Sequence, residues 1–385
     1  MNTSAIPSPA VLDWAQRLVR LSTISHQSNL ALIELIADHL RSLHIPLRLT
    51  YDDERRKANL FATIGEGKPG GVVLSGHTDT VPWDGQAWTL DPLCGEVREG
   101  RLYGRGSADM KSYIAACVAQ AQALQAADLP HAVHFAFSYD EETGGAGVRQ
   151  MVADLRDAGV KPEACLIGEP TNMVPALAHK GVHRWRCCVK GKPAHSSLTP
   201  IAVNAIENAA RVVAHIADMA ERWKTEGPFN PGFDVPYTTA AVGVIAGGIA
   251  DNVVPEDCHF HYEFRDLPGS DVAAFQQQVL DKAAALEPAM KAVDASTGIR
   301  FEVIGGMPAF LADPQGPAAR LAARLAGTQD TTLVAFGTEA GIFQGAGIPT
   351  VICGPGSINQ AHQPDEYVSL EQLALCERYI AALVS

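Results

Sequence analysis

Three unbroken apolar runs, VVLSG, AVHFAFS and ACLIG, each end at or within a few residues of a side chain that binds metal ions well. This recurrence restricts the fold more than any other feature of the chain. VVLSG leads to His77 and Asp79, AFS to Glu141 and Glu142, and LIG to Glu169. Between them lie helical patterns: apolar spacing over residues 11–44, a helix opening after Asp109, and another around 148–155. Further short strands, LRLTYD and NLFATIG, precede the first run. Strands apolar on both faces and alternating with helices predict an α/β fold around a mostly parallel sheet covered on both sides. Ligands of such sheets gather outside the carboxyl ends of the strands. One polar residue there is commonplace; three such strands describe one edge reached three times.

After His179-Lys180-Gly181 the texture changes. HRWRCCVKG alternates as a half-exposed strand does, and residues 203–219 read as an amphipathic helix. The strands TTAAVGVIAGG and DCHFHYEFRDLP follow, then a helix over about 271–286 and the strand IRFEVIGG. This β-α-β-β-α-β order predicts a ferredoxin-like α+β insertion with one side of its sheet open to another surface. From about Pro308 the α/β pattern resumes, with helices near 317–327 and 339–345, the strands TTLVAFG and TVICG, and a last helix from Leu370. At 385 residues the chain exceeds the size at which one core stops growing. The expected division is 1–180 and 309–385 as the two parts of a catalytic domain, with 181–308 inserted between them.

The net charge of −13 disfavours nucleic acid and anionic membranes as partners, and no Lys/Arg block opposes it. The N-terminus has neither the basic nor the apolar region of a signal peptide, and no apolar run approaches a membrane span. None of the eight cysteines forms CxxC, so they are expected as small buried hydrophobes in a reducing, cytoplasmic compartment.

GRGSADMK with Asp109 and NQAHQPDE with His362 complete the ligand inventory. Two histidines and several carboxylates, without cysteine, suit a pair of hard or borderline divalent ions better than a thiolate-held structural zinc. Taken singly, Asp109 is a helix N-terminal acid and Glu141-Glu142 a solvated acidic turn. After a buried strand, however, two adjacent glutamates can divide the work, one holding metal and the other moving a proton. Asp79 stands near enough in sequence to fix the second ring nitrogen of His77. Neither a G-x-G-x-x-G nucleotide loop nor a G-x-S-x-G nucleophile elbow is present.

GHTDTVP, GRGSADMK, DEETGG, GEPT, KGKPAHSS and AHQPDE, in this order and spread over nearly the whole chain, resemble the M20 group of dinuclear zinc amidohydrolases. The resemblance implies two zinc ions per subunit, with cobalt able to substitute, bridged by Asp109. His77 and Glu169 would complete one site, and Glu142 and His362 the other. Glu141 would be the general acid/base and Asp79 the support of His77. GEPT, AHKG, AHSS and GTEAGIFQ most resemble the acetylornithine deacetylase branch, implying hydrolysis of N2-acetyl-L-ornithine to ornithine and acetate in arginine biosynthesis. A succinyl-diaminopimelate desuccinylase, an acetylcitrulline deacetylase, an aminoacylase, a carboxypeptidase or a dipeptidase are the alternatives. Lys180 and Arg265 are the candidate partners of the substrate carboxylate, with Asn252 and Thr338 as neighbours. His195 is implied as an oxyanion-stabilising residue offered to the partner subunit's site, which requires a homodimer through the inserted domain.

Overall fold

The computed structural model describes residues 6–384. The chain folds into two compact units. One comprises residues up to Ala178, Phe310–Val334 and those from Thr338 onward; the other comprises His179–Ala309 with Ala335–Gly337.

The fold is α/β. The larger unit is built on a sheet in the order Leu47–Tyr51, Ala58–Ile64, Val133–Ser138, Val72–His77, Ala164–Pro170, Thr350–Gly354, Ala176–His179, Phe310–Leu311, with Thr332–Val334 also on Ala176–His179. The four central strands, Val133–Ser138 to Thr350–Gly354, are mutually parallel. Antiparallel pairs flank them on both sides. Every residue of Val133–Ser138, Ala164–Pro170 and Thr350–Gly354 is buried, as strands covered on both faces require. The helices Pro9–Val19, Lys111–Ala126 and Leu370–Ala381 pack together in one group, while Ala146–Asp157 packs with Ala340–Gly345. Lys111–Ala126 lacks a polar stripe and is buried nearly all round, because it lies under its neighbouring helices as well as on the sheet.

The smaller unit has the ferredoxin-like order: a four-stranded antiparallel sheet Thr239–Gly247, Asp257–Arg265, Val182–Lys190, Gly298–Met307, with the helices Ala205–Glu226 and Val272–Val293. Its core is aromatic, with Trp185, Phe260, Tyr262 and Phe264 of the sheet packed beneath Trp223. Both helices outrun their sequence pattern. Val272–Val293 continues past Pro288 because Leu286 and Met290 join that core, and burial outweighs the lost backbone hydrogen bond. The strand expected in TTLVAFG is confined to Thr332–Val334, because Gly337 lies against Val182 of the smaller unit, where a Cβ would come within 2.7 Å of the valine side chain.

A close approach also fixes the position of Glu169. A Cβ on Gly168 would stand 1.9 Å from the Tyr113 ring, which is fully buried and donates its hydroxyl to the Leu166 carbonyl at 3.1 Å. Gly168→Ala is therefore expected to lower stability by about 1–3 kcal/mol, the usual cost of overpacking. A chemical denaturation midpoint equal to that of the unaltered protein would contradict this packing.

Candidate metal centre

The parallel register delivers the ligand-type side chains to one sheet edge. His77 ends its strand opposite Ser138, and Glu141 follows Ser138 by three residues. Asp140 makes the turn in the left-handed region, at φ 57°, held by an ion pair with Lys57 at 2.5 Å. Glu169 lies next to the last residue of its strand, and Asp109 immediately precedes Met110, the cap of helix Lys111–Ala126. His362, also left-handed at φ 60°, follows the strand Thr350–Gly354 after a turn.

These residues converge. Asp109 turns one oxygen to each imidazole, Oδ1 at 2.9 Å from His77 Nε2 and Oδ2 at 3.2 Å from His362 Nε2. Glu169 Oε1 lies 3.6 Å from His77 Nε2, and Glu142 Oε1 lies 3.0 Å from His362 Nε2. His77, Glu141 and Glu169 form one tight group of ligand-type atoms, and His77, Asp109 and Glu142 another. Oxygen and nitrogen donors about 2.0–2.2 Å from a tetrahedral ion stand roughly 3.3–3.6 Å apart, so the observed spacings suit small divalent ions. The donor set, imidazole and carboxylate without thiolate, suits them too.

Asp79 does more than its place beside His77 suggested. The ring Nδ1 lies 2.9 Å from the Asp79 backbone carbonyl and 3.6 Å from its carboxylate. A proton on Nδ1 given to that carbonyl leaves the Nε2 lone pair for a cation. The Asp79 carboxylate instead accepts the backbone amides of Glu141 at 3.1 Å and Glu142 at 3.3 Å, and the Ser25 hydroxyl at 2.7 Å. It therefore holds the glutamate turn. Ser25 and Lys57 belong to this support and carry no motif by which sequence could have marked them. A second support lies beneath: the fully buried Glu339 accepts hydrogen bonds from Ser75 and Ser138, in the strands that lead to His77 and to Glu141.

His77, Asp79, Asp109, Glu141 and Glu169 are all buried, and Glu142 is half-buried. Burial pushes the Glu141 and Glu169 carboxyls well above the ordinary range, and neighbouring carboxylates add to the shift. Burial opposes charge on the imidazoles, but Asp109 and Asp79 outweigh it at His77, and Asp109 and Glu142 hold His362 up at about 11. Asp109, despite its burial, is held below the carboxylate range by both imidazoles. Glu141 differs from its neighbour in having no ion pair or side-chain hydrogen bond among the described residues, whereas Glu142 meets His362.

The residues expected to contact substrate lie elsewhere in the chain. His195 and Asn252 sit on adjoining segments of the smaller unit: His195 bridges to Val253, and the Ser196 amide donates to the Asn252 carbonyl at 3.0 Å. Both side chains are exposed. Lys180 is buried, its ammonium 2.6 Å from the Tyr237 carbonyl and 5.9 Å from the Phe233 ring, and burial lowers its pKa. Arg265 shares Glu263 with Arg184. Thr338, in the larger unit, is buried and accepts the Ala340 amide at 3.0 Å.

A sequence model of peptidase family M20/M25/M40 matches residues 73–385. Curated relatives include the acetylornithine deacetylases of Proteus mirabilis, 35% identical over 95% of this chain and 93% of that protein, and of Edwardsiella ictaluri, 34% identical over 100% and 98%. Solved structures with the same fold include an M20 family metallo-carboxypeptidase from Sulfolobus solfataricus (TM-score 0.76, 16% identity, covering 98% of this chain and 99% of that one). Aminopeptidase PepT from Bacillus cereus is another (TM-score 0.74, 20% identity, covering 99% and 98%). The chain belongs to peptidase family M20/M25/M40 and is a hydrolase of that family.

The crowding predicts a pH dependence of the metal-free protein. A carboxyl raised above its unfolded value stabilises fully below about 4.5 and loses that contribution as pH rises; Glu141 and Glu169 are of this kind. An imidazole raised above 6.5 likewise stabilises below 6.5 and loses it on deprotonation at higher pH, as for His77 and His362. His134, lowered by burial, opposes part of this trend. Metal-free protein is expected to melt at progressively lower temperature from about pH 5 to 8, by about 2–4 °C per kcal/mol lost, with a divalent ion abolishing the decline. A melting temperature independent of pH over that range, without metal, would contradict the electrostatics described.

Proposed function

We propose that this chain hydrolyses the amide bond of a small N-acyl amino acid, N2-acetyl-L-ornithine in the first instance, using two zinc ions that cobalt can replace. The observation that carries the proposal is Asp109, whose two carboxylate oxygens each face a different imidazole, while the Glu141 carboxyl beside them has no ion pair or hydrogen bond among the described residues. The acetylornithine deacetylase names of relatives at 34–35% identity support the substrate and a place in arginine biosynthesis.

In this reading Asp109, His77 and Glu169 would hold one ion, and Asp109, Glu142 and His362 the other. The ions would polarise the scissile carbonyl and make water acidic enough to attack near neutral pH. Glu141, a carboxylate once cations stand beside it, takes the proton as the water oxygen bonds to the carbonyl carbon. It then delivers that proton to the nitrogen as the C–N bond breaks, so the amine leaves uncharged. Asp79 keeps Glu141 in place through the backbone amide.

Lys180, Arg265, Asn252 and Thr338 are proposed to hold the substrate carboxylate and its surroundings, and His195 the developing oxyanion of the partner subunit's site. Residues 1–180 and 309–385 would then be the catalytic domain, and 181–308 the dimerisation domain. Its edge strand Thr239–Gly247 supports pairing between copies, since one side is unpaired and Val244, Ile245 and nearby Ile249 are exposed. The eight free cysteines suit a reducing cytoplasm. Among the described residues no helix is long and apolar enough to cross a membrane.

Glu141→Gln is expected to retain both ions and lose about 10²–10⁴-fold in kcat, whereas Glu142→Ala loses one ion by elemental analysis. Turnover near that of the unaltered enzyme in Glu141→Gln would end the mechanism. Comparing N-acetylornithine, N-acetylcitrulline, N-acetylmethionine and N-succinyl-diaminopimelate tests the substrate; a clear preference for the succinyl compound would overturn the assignment.

A further inference from the structure

Two of the site-bearing motifs contain buried charges that the proposed chemistry does not use: Arg105 of GRGSADMK and Glu366 of AHQPDE. Each is only 1% exposed, and they form a salt bridge at 2.7 Å. Burying such a pair costs desolvation that an apolar pair of similar size would avoid, so its stabilising value is small. Its partners suggest another use. Glu366 Oε2 accepts from Arg105, while Oε1 accepts the backbone amides of Ala108 at 2.9 Å and Asp109 at 3.1 Å. Arg105 also donates to the Gln86 side-chain oxygen, Oε1, and lies over the Trp88 ring, 5.0 Å from its centroid. Gln86 in turn donates its amide to the His362 backbone carbonyl at 2.9 Å.

The network is closed by strand register. Tyr367–Ser369 pairs antiparallel with Arg101–Tyr103, Tyr367 opposite Tyr103, and the Gly104 amide donates to the Glu366 carbonyl at 2.9 Å. The small sheet formed by Glu96–Arg98, Arg101–Tyr103 and Tyr367–Ser369 thus seats residues 362–366 against the loop that carries Asp109. Asp365 strengthens the same seat by accepting the amides of Thr89 and Leu90. One five-residue stretch therefore presents His362 and grips the backbone of Asp109.

We infer that Glu366 and Arg105 are positioning residues that set the spacing between Asp109 and His362, and through it the affinity of the site for its second metal ion. The inference rests on the two-ion reading of the site given above. Neither residue touches substrate or the reacting atoms in this account; Glu366 acts on Asp109 through two amides, and Arg105 on His362 through Gln86.

The test uses the full-length protein, stripped of metal and titrated with zinc by calorimetry, with melting followed in parallel. Glu366→Gln keeps an acceptor for the amides but removes the charge facing Arg105. It is expected to weaken the second zinc about 10–100-fold, the usual effect of losing an outer partner of a ligand, and to recover activity at raised zinc. Gln86→Ala, a half-buried position whose loss spares the core, is expected to weaken the same ion severalfold without a change in melting. Amide exchange at Ala108 and Asp109 should quicken in Glu366→Gln, a readout that needs no metal. Two zinc ions bound with unchanged affinity in both variants, or unchanged exchange at Asp109 in a folded Glu366→Gln, would overturn the inference. If Glu366→Gln does not fold, Gln86→Ala decides alone. His362→Ala separates the two proposals: full affinity for both ions in that variant refutes His362 as a ligand, and exchange at Asp109 then decides the positioning role by itself.

Discussion

Asp79, Asp109, Glu141, Glu142 and Glu169 crowd together at a sheet edge around the buried His77, with the exposed His362 closing the group on its solvent side. Like charges so close cannot all be ionised unless cations stand among them, because the low-dielectric surroundings strengthen their repulsion and remove their hydration. The scaffold around the site is arranged to hold this unfavourable assembly in place. Parallel register brings the strand ends level, Lys57 anchors the strained Asp140, and Asp79 draws in the amides of the glutamate turn. Each of these contacts limits how far the acids can move apart.

The same crowding distinguishes residues of identical type. Glu141 and Glu142 are adjacent, and burial raises both carboxyls, but among the described residues only Glu142 is hydrogen-bonded to an imidazole, and Glu141 is raised well above the ordinary value. An acid that readily gains and loses a proton suits proton transfer, whereas one already paired with His362 suits a fixed charge. Asp79 shows a comparable separation within one residue: its carbonyl orients the His77 ring and its carboxylate holds the backbone of the acid next to it.

Burial of charge away from the ligands follows another logic. The Arg105–Glu366 pair adds little net stability, but its direction matters, since Glu366 Oε1 and the Arg105 terminal nitrogens bond to the segments that present Asp109 and His362, leaving Arg105 Nε without a partner among the described residues. Glu339, deeper in the sheet, ties the strand ends from below through Ser75 and Ser138. Precise ligand geometry in a protein of this kind is thus a property of hydrogen bonds to backbone as much as of the ligands themselves.

The sequence by itself determined the α/β class, the ferredoxin-like insertion and the inventory of ligand-type residues, because periodicity and apolar strand content are local signals. It also placed His77, Glu141, Glu142 and Glu169 at strand ends, where parallel pairing leaves few alternatives. The antiparallel margins of the sheet, the small sheet that seats residues 362–366, and the extension of Val272–Val293 through Pro288 were decided by tertiary packing. So were the roles of Ser25, Lys57, Gln86, Arg105 and Glu366, residues with partners up to 276 positions away in the chain. Hydrogen bonds of that span leave no periodic trace, and only the folded chain determines which carboxylate is hydrogen-bonded to an imidazole.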